Sequence, residues 1–165
     1  MPADLLVSFA NSGTGLATWI SRHAGEPVVD EGDLVTGRDL RAALLALLRA
    51  HSGCAAADEV SAAQAYLRRV AVRYPLVAGI GAEGCTLAPA QDGVLGVFGA
   101  VLAAVTDLAY QGGWTRLKLC KNTACHGAFF DRTRNSSALY CSAACNSQAS
   151  MRAYRSRRKP RDHVD

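Results

Sequence analysis

Aromatic residues make up only 7% of the chain and charged residues only 19%. So little charge argues against a disordered polyelectrolyte, and so few aromatics beside abundant Ala and Leu favour helices over sheets. There is no Gly-rich phosphate loop and no convincing nucleophile–base pair, so an enzyme is not expected. No basic segment precedes the apolar residues of the Met-Pro-Ala-Asp start, and a secretory signal is not expected either. The longest charge-free apolar stretch, Gly93 to Thr106, lies between Asp92 and Asp107 and is interrupted by glycines. It is too short to cross a membrane and reads as a buried helix. From these absences a cytoplasmic protein with reduced thiols and no membrane partner is expected.

Half of the 165 residues are apolar, enough for a hydrophobic core in one ordinary domain or in a medium domain with a small appendage. Charge is divided unevenly along the chain. Residues 1–113 hold seven Lys/Arg against eleven Asp/Glu, a net of −4, whereas residues 114–165 hold eleven against three, a net of +8. An acidic body joined to a basic end suits a polyanionic partner for that end.

The pattern of apolar residues predicts a helix over Asp4–Ala24, then a loop from Glu26 to Gly37. Thr36 would N-cap a second helix running to about His51, with Leu40, Ala43, Leu44, Leu47 and Leu48 on one face. A third helix spans about Asp58–Tyr74 and stops at Pro75. Leu76–Ile80 and Cys85–Leu87 read as short strands around a Gly81–Gly84 turn, and a fourth helix covers Asp92–Tyr110. Gly112-Gly113 is the seam between a helical body, residues 1–113, and a cysteine-rich basic module, residues 114–165. Trp114, Leu117 and Leu119 alternate like a strand able to pack back on the body.

Four of the six cysteines fall in two short-spaced pairs, Cys120/Cys125 and Cys141/Cys145, separated by fifteen residues. Soft thiolates in this pattern suit one tetrahedral structural zinc ion, whose closed shell leaves no position for catalysis. His126 adjoins Cys125, but four cysteines suffice. Between the pairs, Ala128–Asp131 reads as a strand, Asn135–Ser137 as a turn and Ala138–Tyr140 as a returning strand. Ser142 would N-cap a helix carrying Cys145 in its first turn, which gives a treble-clef-like finger. A module this small needs metal to be stable. Cys54 and Cys85 read as small core residues. The fold class expected is therefore mostly α with minor β.

The helix after Cys145 runs to Lys159 and stops at Pro160. Gln148, Arg152, Arg155 and Lys159 line one face. Met151, Tyr154 and Arg158 form the next stripe, with Met151 and Tyr154 expected against the zinc hairpin. Such a cationic face suits phosphates and base edges, and Arg132 and Arg134 in the hairpin loop would add backbone contacts. Five phosphate contacts would give a salt slope of about −4 to −5. The competing use of the same surface is docking on an acidic protein.

The cysteine module resembles the CGNR zinc finger. The resemblance rests on Arg116-Leu-Lys-Leu-Cys120, on Cys125 followed by Phe129-Phe130-Asp131, on Thr133-Arg134-Asn135, on Tyr140-Cys141-Ser142, and on Cys145 with Arg152-Ala-Tyr-Arg155-Ser-Arg157-Arg158. The body resembles the ABATE domain that usually precedes that finger in bacteria, through Phe9-Ala-Asn11-Ser12 and the helix from Leu40-Arg41. The resemblance implies a bacterial transcription regulator whose finger binds DNA; the basic helix and hairpin loop, read from their own residues, offer Arg132, Arg134, Gln148, Arg152, Arg155, Arg157, Arg158 and Lys159 as the candidate contacts. The body would then serve dimerisation with a second copy or sensing of a ligand. Where that family carries Cys-Gly-Asn-Arg, this chain has Cys145-Asn146-Ser147-Gln148. The alternative reading is a zinc-stabilised protein–protein adaptor without nucleic-acid binding. Asn11, polar in an apolar helix start, is a candidate ligand-pocket contact or a helix-end hydrogen-bonding group.

Overall fold

The computed structural model describes residues 1–25 and 29–158. It is mostly α with minor β, as the composition predicts. The order is α1 (Pro2–Ala10), a 3-10 turn (Gly13–Gly15), α2 (Leu16–Ala24), α3 (Glu31–His51), α4 (Ala57–Ala71), β1 (Leu76–Gly81), β2 (Gly84–Pro89) and α5 (Gly93–Tyr110). A second 3-10 turn (Trp114–Arg116), β3 (Leu117–Leu119), β4 (Ala128–Phe130) and α6 (Ala143–Arg158) complete the chain.

Helix α5 is the centre of the body. Val94, Val97, Phe98, Val101, Ala104 and Leu108 recur at helical spacing and are buried. The expectation that this stretch is too short to cross a membrane is corrected, because the helix runs on through Asp107 to Tyr110 and its 18 residues are long and apolar enough to do so; in the fold it packs against α1, α2 and β2. Gly99 permits the close approach of β2, since a Cβ there would stand 3.0 Å from Pro89 Cβ. Strands β1 and β2 form an antiparallel hairpin in register Leu76↔Pro89 through Gly81↔Gly84, close to expectation.

Three local expectations are corrected. The first predicted helix is two helices. Asn11 ends α1, Gly13 adopts φ +50°, and the chain turns before α2. Helix α3 begins at Glu31 rather than after Thr36, because Asp30 is the N-cap and its Oδ1 accepts the Asp33 N–H at 2.7 Å. Acidic Glu31 and Asp33 in the first turn suit the helix dipole, and Gly37 inside the helix lets it lie against Leu16, Ile20 and Phe98. Helix α4 ends at Ala71 rather than Tyr74, and Tyr74 instead stacks edge-on to Phe98 in the core.

The segment after Gly113 packs back on the body. Leu117, Leu119 and Ala128 belong to the same buried cluster as Phe9, Leu40 and Phe98. The end of α3 is stitched to β3: His51 Nδ1 donates to the Leu117 carbonyl at 2.8 Å, and Ser52 Oγ meets both the N–H and the carbonyl of Leu119. Burial holds the His51 imidazole below its ordinary pKa, and its ring meets Trp114 edge-on.

Candidate metal centre

The finger is built on the antiparallel pair β3–β4, in register Leu117↔Phe130 through Leu119↔Ala128. This replaces the expected hairpin between residues 128 and 140. Residues Ala138–Tyr140 form no strand; their backbone is held by Ala138 N–H to Asp131 Oδ2 at 2.8 Å and by Lys121 N–H to the Leu139 carbonyl at 2.9 Å. Asp131 organises this loop from a buried position. It pairs with Lys118 Nζ at 2.8 Å and also accepts from the Thr133 N–H and hydroxyl. Burial alone would raise the Asp131 pKa, but the Lys118, Thr133 and Ala138 donors outweigh it and hold the carboxylate well below its usual range. Arg116 reaches over the same loop, donating to the carbonyls of Asp131, Thr133 and Arg134.

Cys120 closes β3 and its N–H donates to Gly127 across the knuckle; Cys125 N–H donates to the Asn122 carbonyl. His126 then takes φ +49°, which turns the chain back into β4. Cys141 precedes α6 and Cys145 lies in its first turn, where Ser142 Oγ accepts the Cys145 N–H at 3.2 Å, the expected N-cap. The four sulfurs lie within 4.8 Å of one another, with Cys125–Cys141 at 3.7 Å and Cys141–Cys145 at 3.6 Å.

A tetrahedron of Zn–S bonds of about 2.3 Å has edges of about 3.8 Å, so these separations fit zinc. The protonation chemistry fits as well. Hydrogen bonding by Asn122 and then Ser142 lowers Cys145 to about 7, whereas loss of water and then the crowding of the other thiols push Cys141 up to about 12. Four neighbouring sulfurs cannot all ionise without a cation among them, and a divalent ion supplies it. The Gly127 N–H also points at Cys125 Sγ, at 3.4 Å. The quartet holds one structural zinc ion in a closed shell; His126 is not in the cluster.

Asn122, missed by sequence reading, joins the knuckle to α6. Its side chain is buried; Oδ1 accepts from the Ala124 N–H and from Arg152 at 2.6 Å, and Nδ2 donates to Gln148 Oε1 at 3.0 Å. Arg152 also donates to the Thr123 hydroxyl. An asparagine two residues after the first cysteine of a turn was the available signal, since Asx side chains bond the backbone two residues on. Gln148 and Arg152, expected to face nucleic acid, therefore fasten the helix to the knuckle.

The other candidates lie elsewhere. Arg132, Arg134, Arg155 and Arg157 are exposed, and Arg132 NH2 stands 3.7 Å from Asp4 Oδ1 on the body. Arg158 ends α6 and its side chain lies outside what is described, as does Lys159 altogether. Met151 and Tyr154, expected under the hairpin, are 52% and 48% exposed, because Gln148 and Arg152 set which face of α6 meets the knuckle. Cys54 and Cys85, expected in the core, are both exposed: one follows the end of α3 and the other lies on the solvent-facing hairpin.

Asn11 is a clamp. Its Nδ2 donates to the Ala128 carbonyl at 2.9 Å and its Oδ1 accepts the Ala128 N–H at 2.8 Å, as a neighbouring strand would. It ends α1 and fixes β4 to the body in one step.

The fold and this centre define a zinc-finger protein with a helical body. Residues 116–158 match the family model of the CGNR zinc finger, a span that takes in all four ligands. A comparison with curated proteins returned no match. The family match covers the finger and none of residues 1–115, so it does not extend to the body or to the ABATE domain expected there.

Proposed function

We propose that the chain is a DNA-binding transcription regulator of bacterial type, acting in the cytoplasm, in which zinc shapes the finger that meets the phosphate backbone. The observation that carries this is the charge of the finger surface. Between Trp114 and Arg158 the only acid is Asp131, and it is buried against Lys118. Nothing acidic is thus left on the described finger surface to neutralise Lys121, Arg134, Arg155 and Arg157. Such a surface attracts polyanions and releases their counterions on binding. The body serves dimerisation or ligand sensing, and the protein is not an enzyme, because the metal shell is closed and its role is structural.

The test is capture of fragmented genomic DNA by the zinc-loaded protein at physiological salt, followed by sequencing. The control is Arg155→Ala/Arg157→Ala, since Arg152→Ala would loosen the helix itself. Recurrent enriched sites that vanish in the control support the proposal. Enrichment that is absent, or unchanged in the control, refutes it. A second reading, a protein adaptor, draws on the half-exposed Met151 and Tyr154 on α6, which suit a partner's apolar surface. Co-purification of a stoichiometric protein partner lost in Met151→Ser would support it.

A further inference from the structure

A cavity lies where the body meets the zinc knuckle. Its volume is about 690 Å³, and its walls come from the end of α1, from α3, from β3 and from the knuckle. Leu45, Leu119 and Ala10 supply an apolar wall, Cys120 and Cys125 border it from the metal centre, and Arg41, Arg49 and Lys121 bring cations, while among the described residues no Asp or Glu lines it. That pattern is unusual in a body whose net charge is −4.

The three cations differ. Arg49 is spent on Glu59, to which both Nε and NH2 donate. Arg41 uses only Nε, donating to the Ala10 carbonyl at 2.8 Å at the end of α1, and among the described residues no carboxylate pairs with it. Lys121 likewise has no acidic partner among the described residues. Partial burial makes the uncompensated Arg41 charge costly, which lowers its pKa and would be relieved by an anion. An apolar pocket with a few convergent polar groups is the usual form of a small-molecule site, and a planar guanidinium with free N–H groups suits a carboxylate.

We infer that this cavity binds a small organic carboxylate with an apolar body, its anionic end between Arg41 and Lys121 and its apolar part against Leu45 and Leu119. This gives the ligand-sensing part of the reading above a chemical class and rests on that part. A bound carboxylate would touch elements that position the finger: Asn11 holds β4, and Thr123, which also lines the cavity, receives Arg152 of α6. Occupancy would therefore brace the knuckle on the body and alter the setting of the basic helix.

The experiment titrates the zinc-loaded full chain, without DNA, with 2-naphthoate and its neutral counterpart 2-naphthamide, by calorimetry and amide chemical-shift mapping. The expected result is saturable one-to-one binding of naphthoate, with naphthamide weaker by about tenfold or more, the worth of a charge-assisted pair. Arg41→Gln should abolish the preference for the acid, its folding checked by zinc content and melting. If Arg41→Gln does not fold, Lys121→Gln at an exposed position and the shift map decide. Weakened naphthoate binding with shifts at Asn11, Ser52, Leu119 and Gly127 supports the site. No binding at millimolar naphthoate, equal binding of acid and amide, or shifts confined elsewhere overturns it. Because DNA is absent, failure here leaves the DNA-binding reading intact, and failure of DNA capture leaves this site intact.

Discussion

Asn11→Ala should separate the zinc finger from the body more effectively than any surface change. The side chain makes two hydrogen bonds to the backbone of Ala128, at 2.8 and 2.9 Å, and Ala128 is only 4% exposed. Removing it leaves a buried N–H and a buried carbonyl without a partner. Each lost bond with its desolvated group costs about 1.5 kcal/mol, so the pair costs about 3 kcal/mol. For a chain of this size that corresponds to a fall in Tm of roughly 6–12 °C. Asn11→Asp keeps the acceptor for the Ala128 N–H but sets a carboxylate against its carbonyl, so it should not restore stability. The assay is thermal unfolding of zinc-loaded protein, with the rate of zinc transfer to a chromogenic chelator as a second readout. Transfer should quicken in Asn11→Ala, because β4 carries the knuckle. A Tm within about one degree of the parent would refute the reasoning.

Removing zinc, by chelation or by Cys141→Ser, should cost the helicity of the 16-residue α6 and the hydrogen-exchange protection of residues 120–158, while α3 and α5 stay protected; unchanged circular dichroism would refute this. Lys118→Met should destabilise by about 3–5 kcal/mol by stranding the buried Asp131 carboxylate, as denaturant unfolding would measure. The Asp131 pKa is lowered on folding, so its contribution is complete above the unfolded carboxylate pKa of about 3.9 and is lost as pH falls below it. The parent should therefore lose stability relative to Lys118→Met in that acidic window, and parallel pH profiles would count against the pairing. Lys121, Arg134, Arg155 and Arg157 meeting phosphates give a slope of log K against log salt near −3.6, and Arg155→Ala/Arg157→Ala should reduce it by about 2, read by fluorescence anisotropy. A slope near zero in the parent would exclude phosphate contact.

Much of the metal centre was legible from residue type and spacing. Thiolates are soft ligands, and two short-spaced pairs of them suit a tetrahedral zinc site, while Ser142 before Ala143-Ala144-Cys145 has the pattern of a helix cap. The same holds for the hairpin of β1 and β2, where turn residues separate apolar runs. What failed were boundaries where polar residues compete for backbone groups. Asp30 displaced Thr36 as the cap of α3 because its Oδ1 reaches the Asp33 N–H, and Asn11 broke the first helix because its amide was committed to Ala128.

On the basic helix, sequence periodicity could place Gln148 and Arg152 on one face but could not say what that face meets. Both side chains can bond to phosphate or to protein, and only the buried Asn122 beside them decided for protein. The amino-acid sequence by itself determined the zinc quartet, the helical character, and the contrast between acidic body and basic end, since each follows from local chemistry or composition. The tertiary structure alone decided which cations remain outward, that Asp131 is matched by Lys118, and that the finger is clamped to the body by Asn11, His51 and Ser52. Those outcomes depend on hydrogen bonds between residues far apart in the chain, as between Asn11 and Ala128, whose partners exist only once the core has closed.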